Sequence, residues 1–186
     1  MKNKILITGT GRNGTSILMQ LFTHLGMDTG FTPEEADRRL QNRANAGLEI
    51  TDLTQDIRIH KAPHFALTIE EDITNHIVDH VIIPIRKLEH SAKSRARRGR
   101  KLGGMIGGSR TYEQQEIFNA KILYNLIEIL EKNGIHYTII HFPTFIYDIE
   151  LLYEKLRWLF EEYDITKSTY IEKMNNIVDT NKLHFI

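Results

Sequence analysis

Residues Ile5-Leu-Ile-Thr-Gly-Thr-Gly-Arg-Asn-Gly-Thr-Ser-Ile-Leu18 pass from an apolar run, through three glycines, into a helical pattern. Such a short span predicts a strand, a tight loop and a helix start. Gly9, Gly11 and Gly14 let the backbone turn sharply and approach a ligand with no Cβ in the way. The N–H groups of Asn13, Gly14, Thr15 and Ser16 then point at one spot, at the positive end of the helix dipole. A phosphate or sulfate group is held at such a place. The spacing fits G-x-x-x-x-G-[ST] from Gly9 to Gly14 and on to Thr15-Ser16. A nucleoside-triphosphatase P-loop has Lys after the second glycine. Here Thr15 takes that place and the cation of the loop is Arg12. A glycine-rich strand-to-helix turn that binds nothing shows the same pattern.

The rest of the chain alternates strands with helices. Ser16 to Leu25 predicts a helix with Ile17, Leu18, Leu21, Phe22 and Leu25 on a broad apolar face, stopped by Gly26. Gly30 to Glu49 is polar and poorly periodic, and predicts a loop with one short helix after Thr32-Pro33. Ile57 to Lys61 alternates and ends before Pro63, as a short strand does. Thr68 with Glu71 predicts a capped helix start, the helix running to about Asp79. His80 to Ile85 is the next strand, and Pro84, lacking an N–H, predicts an edge or a bulge at its end. Glu89 to Arg98 predicts a helix and Gly99 to Ser109 a mobile, glycine-rich loop.

Thr111 with Gln114 opens the clearest helix, which carries Phe118, Ile122, Leu123, Leu126, Ile127 and Leu130 and ends at Asn133-Gly134. Ile135 to Ile140 predicts a last strand, and Ile149 to Tyr163 a single amphipathic helix. Asn175 to Ile186 is weakly patterned, and no repeat or linker interrupts the chain. The expected architecture is one domain over residues 1–186. It is a three-layer αβα fold, P-loop-like, with a central, mainly parallel sheet of about four to five strands. Ligands of such sheets bind at the carboxyl ends of the strands. That places the Gly9–Ser16 loop, Lys61-Ala-Pro63 and Arg86 on one rim.

At 186 residues the chain can bury a real core, and no apolar run approaches a membrane span. Met-Lys-Asn-Lys leads directly into the first strand, which predicts no separate signal peptide. The lack of cysteine excludes disulfides and thiolate metal sites, and a cytoplasmic setting is the expectation. Net charge is zero, yet Arg86 to Arg110 holds nine Lys/Arg against Glu89 alone, or +8, and the remainder carries −8. So basic a segment in a neutral protein calls for a polyanionic partner, a small molecule or a nucleic acid.

A magnesium-dependent nucleoside triphosphatase needs a carboxylate at the end of a second apolar strand to hold the metal. The later strands end instead in His60-Lys61, Ile85-Arg86 and Ile140-His141. Cations stand where a metal site would place acids, which favours a doubly phosphorylated ligand bound without metal. On these residues the chain resembles the sulfotransferases that use 3′-phosphoadenosine 5′-phosphosulfate (PAPS). Gly9-Thr-Gly-Arg-Asn-Gly-Thr-Ser16 is similar to the family's 5′-phosphosulfate loop, G-x-[PG]-[RK]-S-G-T-[ST]. Arg86, at a strand end and followed by Ser94, is similar to the 3′-phosphate motif R-x7-S. Lys61-Ala-Pro63 resembles the K-x-P segment of bacterial members, and Asn45-Ala-Gly-Leu-Glu49 a G-x-x-E-like stretch. Asn13 replaces the usual Ser, Arg86-Lys-Leu88 replaces R-D-P, and Phe31 stands where some members carry an acid.

The resemblance implies PAPS as donor, no metal, and a hydroxyl or amine on a small-molecule or carbohydrate acceptor. Gly11, Arg12, Asn13, Gly14, Thr15 and Ser16 would hold the 5′-phosphosulfate, with Arg12 at the leaving oxygen. Arg86 and Ser94 would hold the 3′-phosphate, and Lys61 would face the transferring group. A carboxylate or His must take the acceptor's proton. Glu49 is the first candidate, Glu35 the second and His60 the third. Two other readings fit the loop: a nucleotide or nucleoside kinase with a degenerate P-loop, and a non-catalytic module that grips a nucleotide or nucleic acid. Few aromatics interleave with the basic residues, so base stacking would be poor and nucleic acid is not the expected partner. The Arg95–Lys101 run reads either as a solvated or nucleic-acid-facing patch or as a lid over the nucleotide.

Overall fold

Strand β1 (Lys4–Ile7) is buried along its whole length, as a strand covered on both faces must be. Ile5 and Ile7 enter one core and Leu6 another. The same period of two divides β3 (Val78–Ile85), with Ile82 in the first core and Val81 and Ile83 in the second. With β2 (Ile59–Lys61) and β4 (His136–His141) these form a four-stranded sheet in the order β2-β1-β3-β4. Every neighbouring pair is parallel. The computed structural model describes residues 2–40, 47–97 and 104–178.

Helices cover both faces, giving the expected three layers. The first core is closed by Leu18 and Phe22 of α1 (Thr15–His24), Phe145 of α6 (Thr144–Tyr147) and Leu152 of α7 (Ile149–Lys155). Phe160 of α8 (Arg157–Glu162) and Tyr170 of α9 (Lys167–Ile177) complete it. The second is closed by Phe65 and Ile69 of α3 (Phe65–Asn75) and Ile122, Leu126 and Leu130 of α5 (Tyr112–Lys132). The short helices α2 (Pro33–Arg39) and α4 (Leu88–Ala96) pack on α1 and α5. Among the described residues no helix is long and apolar enough to cross a membrane.

The chain leaves β1 through α1 and α2 toward β2, and leaves β3 through α4 and α5 toward β4. Right-handed crossovers running in opposite directions put their helices on opposite faces, so α1 and α5 lie in different cores. The winding reverses between β1 and β3, and a crevice forms at such a reversal, outside the carboxyl ends of the two strands.

Several boundaries differ from those the sequence predicts. Pro84 lies on an interior strand, opposite Ile140 of β4. It shares its side with Ile82, whose carbonyl accepts from Thr8 N–H at 3.1 Å where β1 has just ended. Among the described residues no strand runs beside Pro84 on that side, so its missing N–H breaks no ladder. Helix α3 starts at Phe65 rather than Thr68, because Ala66 and Leu67 N–H already donate to Pro63 and His64 carbonyls at 3.3 and 2.8 Å. Thr68 is inside the helix, with Oγ1 donating to Asp72 Oδ2 at 2.7 Å. The predicted helix over 149–163 is two, α7 and α8. At Leu156 the N–H is shared between Leu152 and Tyr153 carbonyls, at 3.1 and 3.2 Å, and the helix restarts. The apolar stripe survives the break, since Leu152, Leu156, Leu159 and Phe160 are all fully buried. Helix α9 is assigned nothing in the sequence reading, although Tyr170 and Met174 are buried one turn apart. Asn45-Ala46, Arg98–Lys101 and the terminal residues from 179 lie outside the described residues.

At the start of β3, His80 Nε2 sits 2.8 Å from Thr138 Oγ1, and its ring lies 4.2 Å from that of Trp158. Burial first, then the neighbouring His136, pushes its pKa from the ordinary 6.5 to about 4. Between those values the unfolded chain holds a proton on this ring that the folded chain refuses, so stability falls as pH is lowered from 6.5 toward 4. Urea unfolding at pH 7 and pH 5 should show this loss, and His80→Gln should flatten it. Equal acid slopes in the two proteins would place the sensitivity elsewhere.

Candidate functional site

The loop after β1 is held from several sides. Thr8 Oγ1 donates to Ala62 O at 2.8 Å, which ties it to the segment after β2. Asn13 is buried, and its Nδ2 donates to Thr10 Oγ1 at 2.8 Å and to Pro84 O at 3.3 Å. Arg12 adopts a left-handed φ of 62° without being glycine. That conformation costs roughly 1–2 kcal/mol, and strain of this kind gathers where geometry matters to function. Helix α1 then starts behind Gly14, with no side-chain cap and no acid in its first turn. By contrast α2, α5, α7 and α9 are capped by Thr32, Thr111, Asp148 and Thr166. The N–H groups of Thr15, Ser16 and Ile17 have no carbonyl within the helix, and they carry its partial positive charge.

Cations surround this turn. Arg12, half-buried, donates from Nε to Ser94 Oγ at 3.2 Å. Arg86, buried at the end of β3, holds its guanidinium over the Phe142 ring, 5.2 Å from the centroid. The same ring lies 2.6 Å from where a Cβ on Gly14 would stand. Phe142 therefore joins Arg86 to the start of α1. Arg95, also buried, donates through Nε to Thr10 O at 3.2 Å and through Nη1 to Gly104 O at 3.0 Å. Burial pushes the pKa of Arg86 down and that of Arg95 to about 10, and in both the charge of Arg12 adds to the effect. Lys61 is pushed down by burial too, opposed by Glu49 and reinforced by Arg12. All three buried cations thus feel the one charge on the loop.

On the other side of the turn, Lys61 Nζ donates to Ser16 Oγ at 3.0 Å, Gly47 O at 2.7 Å and Glu49 Oε1 at 2.6 Å. The Glu49 side chain is 45% exposed, so its carboxylate is both paired and open to solvent. Glu35 is engaged at the start of α2, where Oε2 accepts from Thr32 N–H at 3.1 Å. His60 points to the opposite face of β2 from Lys61 and is fully buried, with Nε2 3.1 Å from Ile57 O and its pKa lowered by burial. Of the three candidate bases only Glu49 touches Lys61. Among the described residues no three His, Asp or Glu side chains are grouped to hold a metal ion.

Ser91 and Phe142 at this rim stand in no sequence motif, and Arg95 enters the sequence argument only as the first residue of the Arg95–Lys101 run. Ser91 lies three residues before Ser94 and four before Arg95 on α4, and that helical spacing is the signal that marks Ser91 and Arg95. Phe142 directly follows β4, and its strand-end position marks it in the same way as Arg86. Among the described residues of the basic stretch from Arg86, Arg86 and Arg95 turn inward.

A Cβ on Gly14 would meet Phe142 at 2.6 Å and Phe145 at 3.0 Å, on a backbone with φ of 87°. Gly14→Ala should lower stability by at least about 2 kcal/mol, from the left-handed backbone and overpacking together. Chemical denaturation checks this, and a variant within about 0.5 kcal/mol of the parent would show that Phe142 yields freely.

No family model matches the sequence, and no curated protein matches it either. Solved structures do. A sulfotransferase domain from the curacin biosynthetic pathway superposes with a TM-score of 0.59 at 16% identity, over 93% of this chain and 78% of that one. A sulfotransferase domain from the Synechococcus PCC 7002 olefin synthase gives 0.55 at 12% identity, over 97% of this chain and 83% of that one. At such identities the likeness is one of backbone architecture, and this chain has the three-layer, parallel-sheet fold of sulfotransferase domains.

Proposed function

We propose that the chain binds PAPS and transfers its sulfuryl group to a hydroxyl or amine acceptor on a small molecule or carbohydrate. The observation that carries this is the meeting of Arg12, Ser94 and Arg86 at the winding reversal between β1 and β3. Arg12 Nε donates to Ser94 Oγ, and its charge reaches Arg86. Two anion-seeking groups from separate strands therefore share one rim. The sulfotransferase-domain fold supports the reading.

The donor supplies a sulfuryl group that leaves its 5′-phosphate by in-line displacement, with negative charge building on the bridging oxygen. Arg12 and the N–H groups opening α1 are the residues that stabilise such charge, and they do so most strongly where water is excluded. Arg86, its plane set by the Phe142 ring, and Ser94 would grip the 3′-phosphate. Lys61, held between Ser16 and Glu49, would orient the transferring group, and Glu49 would take the acceptor's proton.

The kinase-like reading asks for a loop lysine and a metal-binding acid at a strand end. The rim offers Thr15, Lys61, Arg86 and Phe142 in those places. A nucleic-acid groove asks for exposed cations, and Arg86 and Arg95 are buried.

Calorimetry with 3′-phosphoadenosine 5′-phosphate (PAP), AMP and Mg-ATP separates the readings. PAP should bind more tightly than the other two. Binding no tighter than that of AMP would remove the donor assignment. Arg86→Ala should weaken PAP binding by about 2–3 kcal/mol, the size of a charge-assisted contact, and leave AMP unaffected. Unchanged PAP affinity would take Arg86 out of the site.

A further inference from the structure

The mechanism above leaves Arg95 without a task, although among the described residues it is one of the most deeply buried charges. It is 5% exposed, it lies on α4 behind the loop, and both Nε and Nη2 donate to the carbonyl of Thr10. Its Nη1 donates to Gly104 O at 3.0 Å. One turn earlier on the same face, buried Ser91 donates from Oγ to the carbonyl of Gly11 at 3.2 Å. Two consecutive loop carbonyls are thus drawn toward α4. A Cβ on Gly11 would lie 2.6 Å from Arg95 Nη2, so the contact closes only on glycine.

In a planar trans peptide the C=O and the next N–H point in opposite directions. Fixing the Thr10 carbonyl against Arg95 turns the N–H of Gly11 away from α4. Fixing the Gly11 carbonyl against Ser91 does the same for the N–H of Arg12. We infer that Arg95, seconded by Ser91, is a positioning residue that sets the peptide planes of the loop and so its affinity for a 5′-phosphate group. This rests on the PAPS-binding reading and extends it to a residue that touches no ligand atom. A guanidinium suits the task because its rigid fork can hold Thr10 O and Gly104 O together, whereas a lysine ammonium on a flexible stem carries the same charge without that plane.

The test uses PAP, adenosine 5′-monophosphate and adenosine 3′-monophosphate, titrated into the full chain and into Arg95→Lys and Ser91→Ala. If Arg95 aims the loop, Arg95→Lys weakens PAP and the 5′-monophosphate by a common factor, about tenfold or more, the size of one lost charge-assisted hydrogen bond. The 3′-monophosphate keeps its affinity, because Arg86 is untouched. Ser91→Ala moves in the same direction by a smaller factor, and carries the test should Arg95→Lys fail to fold. Affinity for the 5′-monophosphate within twofold of the parent in each variant that folds would overturn the inference. An equal loss for the 3′-monophosphate would also overturn it, because the change would then be general. A parent chain that binds the 5′-monophosphate as tightly as PAP would defeat the donor assignment alone, with Arg95 still judged on the 5′-monophosphate. A parent chain that binds none of the three would defeat both.

Discussion

The charge on Arg12 is the constraint around which the rest of this structure is arranged. Lys61, Arg86 and Arg95 are buried, come from three different elements, and all feel that charge. The first turn of α1 adds its own partial positive end. Burial drives the pKa values of all three neighbours down, and the like charge of Arg12 adds to that shift in each. On the reading proposed above, a polyanion would relieve the repulsion among these cations, a source of binding energy that no single contact contains.

Topology delivers these groups. Nothing in the local sequence brings residue 12 to residue 86 or residue 95. The reversal of winding between β1 and β3 does so, by ending two adjacent strands at one crevice and sending their continuations to opposite sides. Asn13 fastens the two strand ends together through the carbonyl of Pro84. Where the resembling family usually carries Ser, the longer amide reaches both Thr10 and the neighbouring strand.

Much of this could be read before any coordinates. The strand–loop–helix opening, the layer order and the strand ends carrying Lys61 and Arg86 follow from apolar periodicity and glycine placement, which depend on neighbours in sequence. What escaped depends on neighbours in space. Thr68 and Glu71 mimic a capping box, but the apolar demand of Phe65 and Ala66 pulls the helix start back to Phe65. The stripe from Leu152 to Phe160 gives the buried face correctly, yet periodicity does not report the break at Leu156. Arg95 looks like part of a charged run until the fold turns it inward. Phe142 carries no charge and so stands in no motif. Glu35 and His60 are candidate bases by residue type alone; in the fold Glu35 caps α2, and His60 is buried with Nε2 beside Ile57 O.

The Phe142 ring stands between two parts of the rim. It is wedged against the glycine that opens α1 on one side and the guanidinium of Arg86 on the other. An aromatic ring neither compresses nor changes length, so it acts as a gauge block between the two ends of the rim. On the reading proposed above, ligands would be sorted by the span between their anionic groups as much as by the groups themselves. A diphosphate with adjacent charges would fall short of one end, while a nucleoside that carries its phosphates on opposite sides of the sugar would reach both.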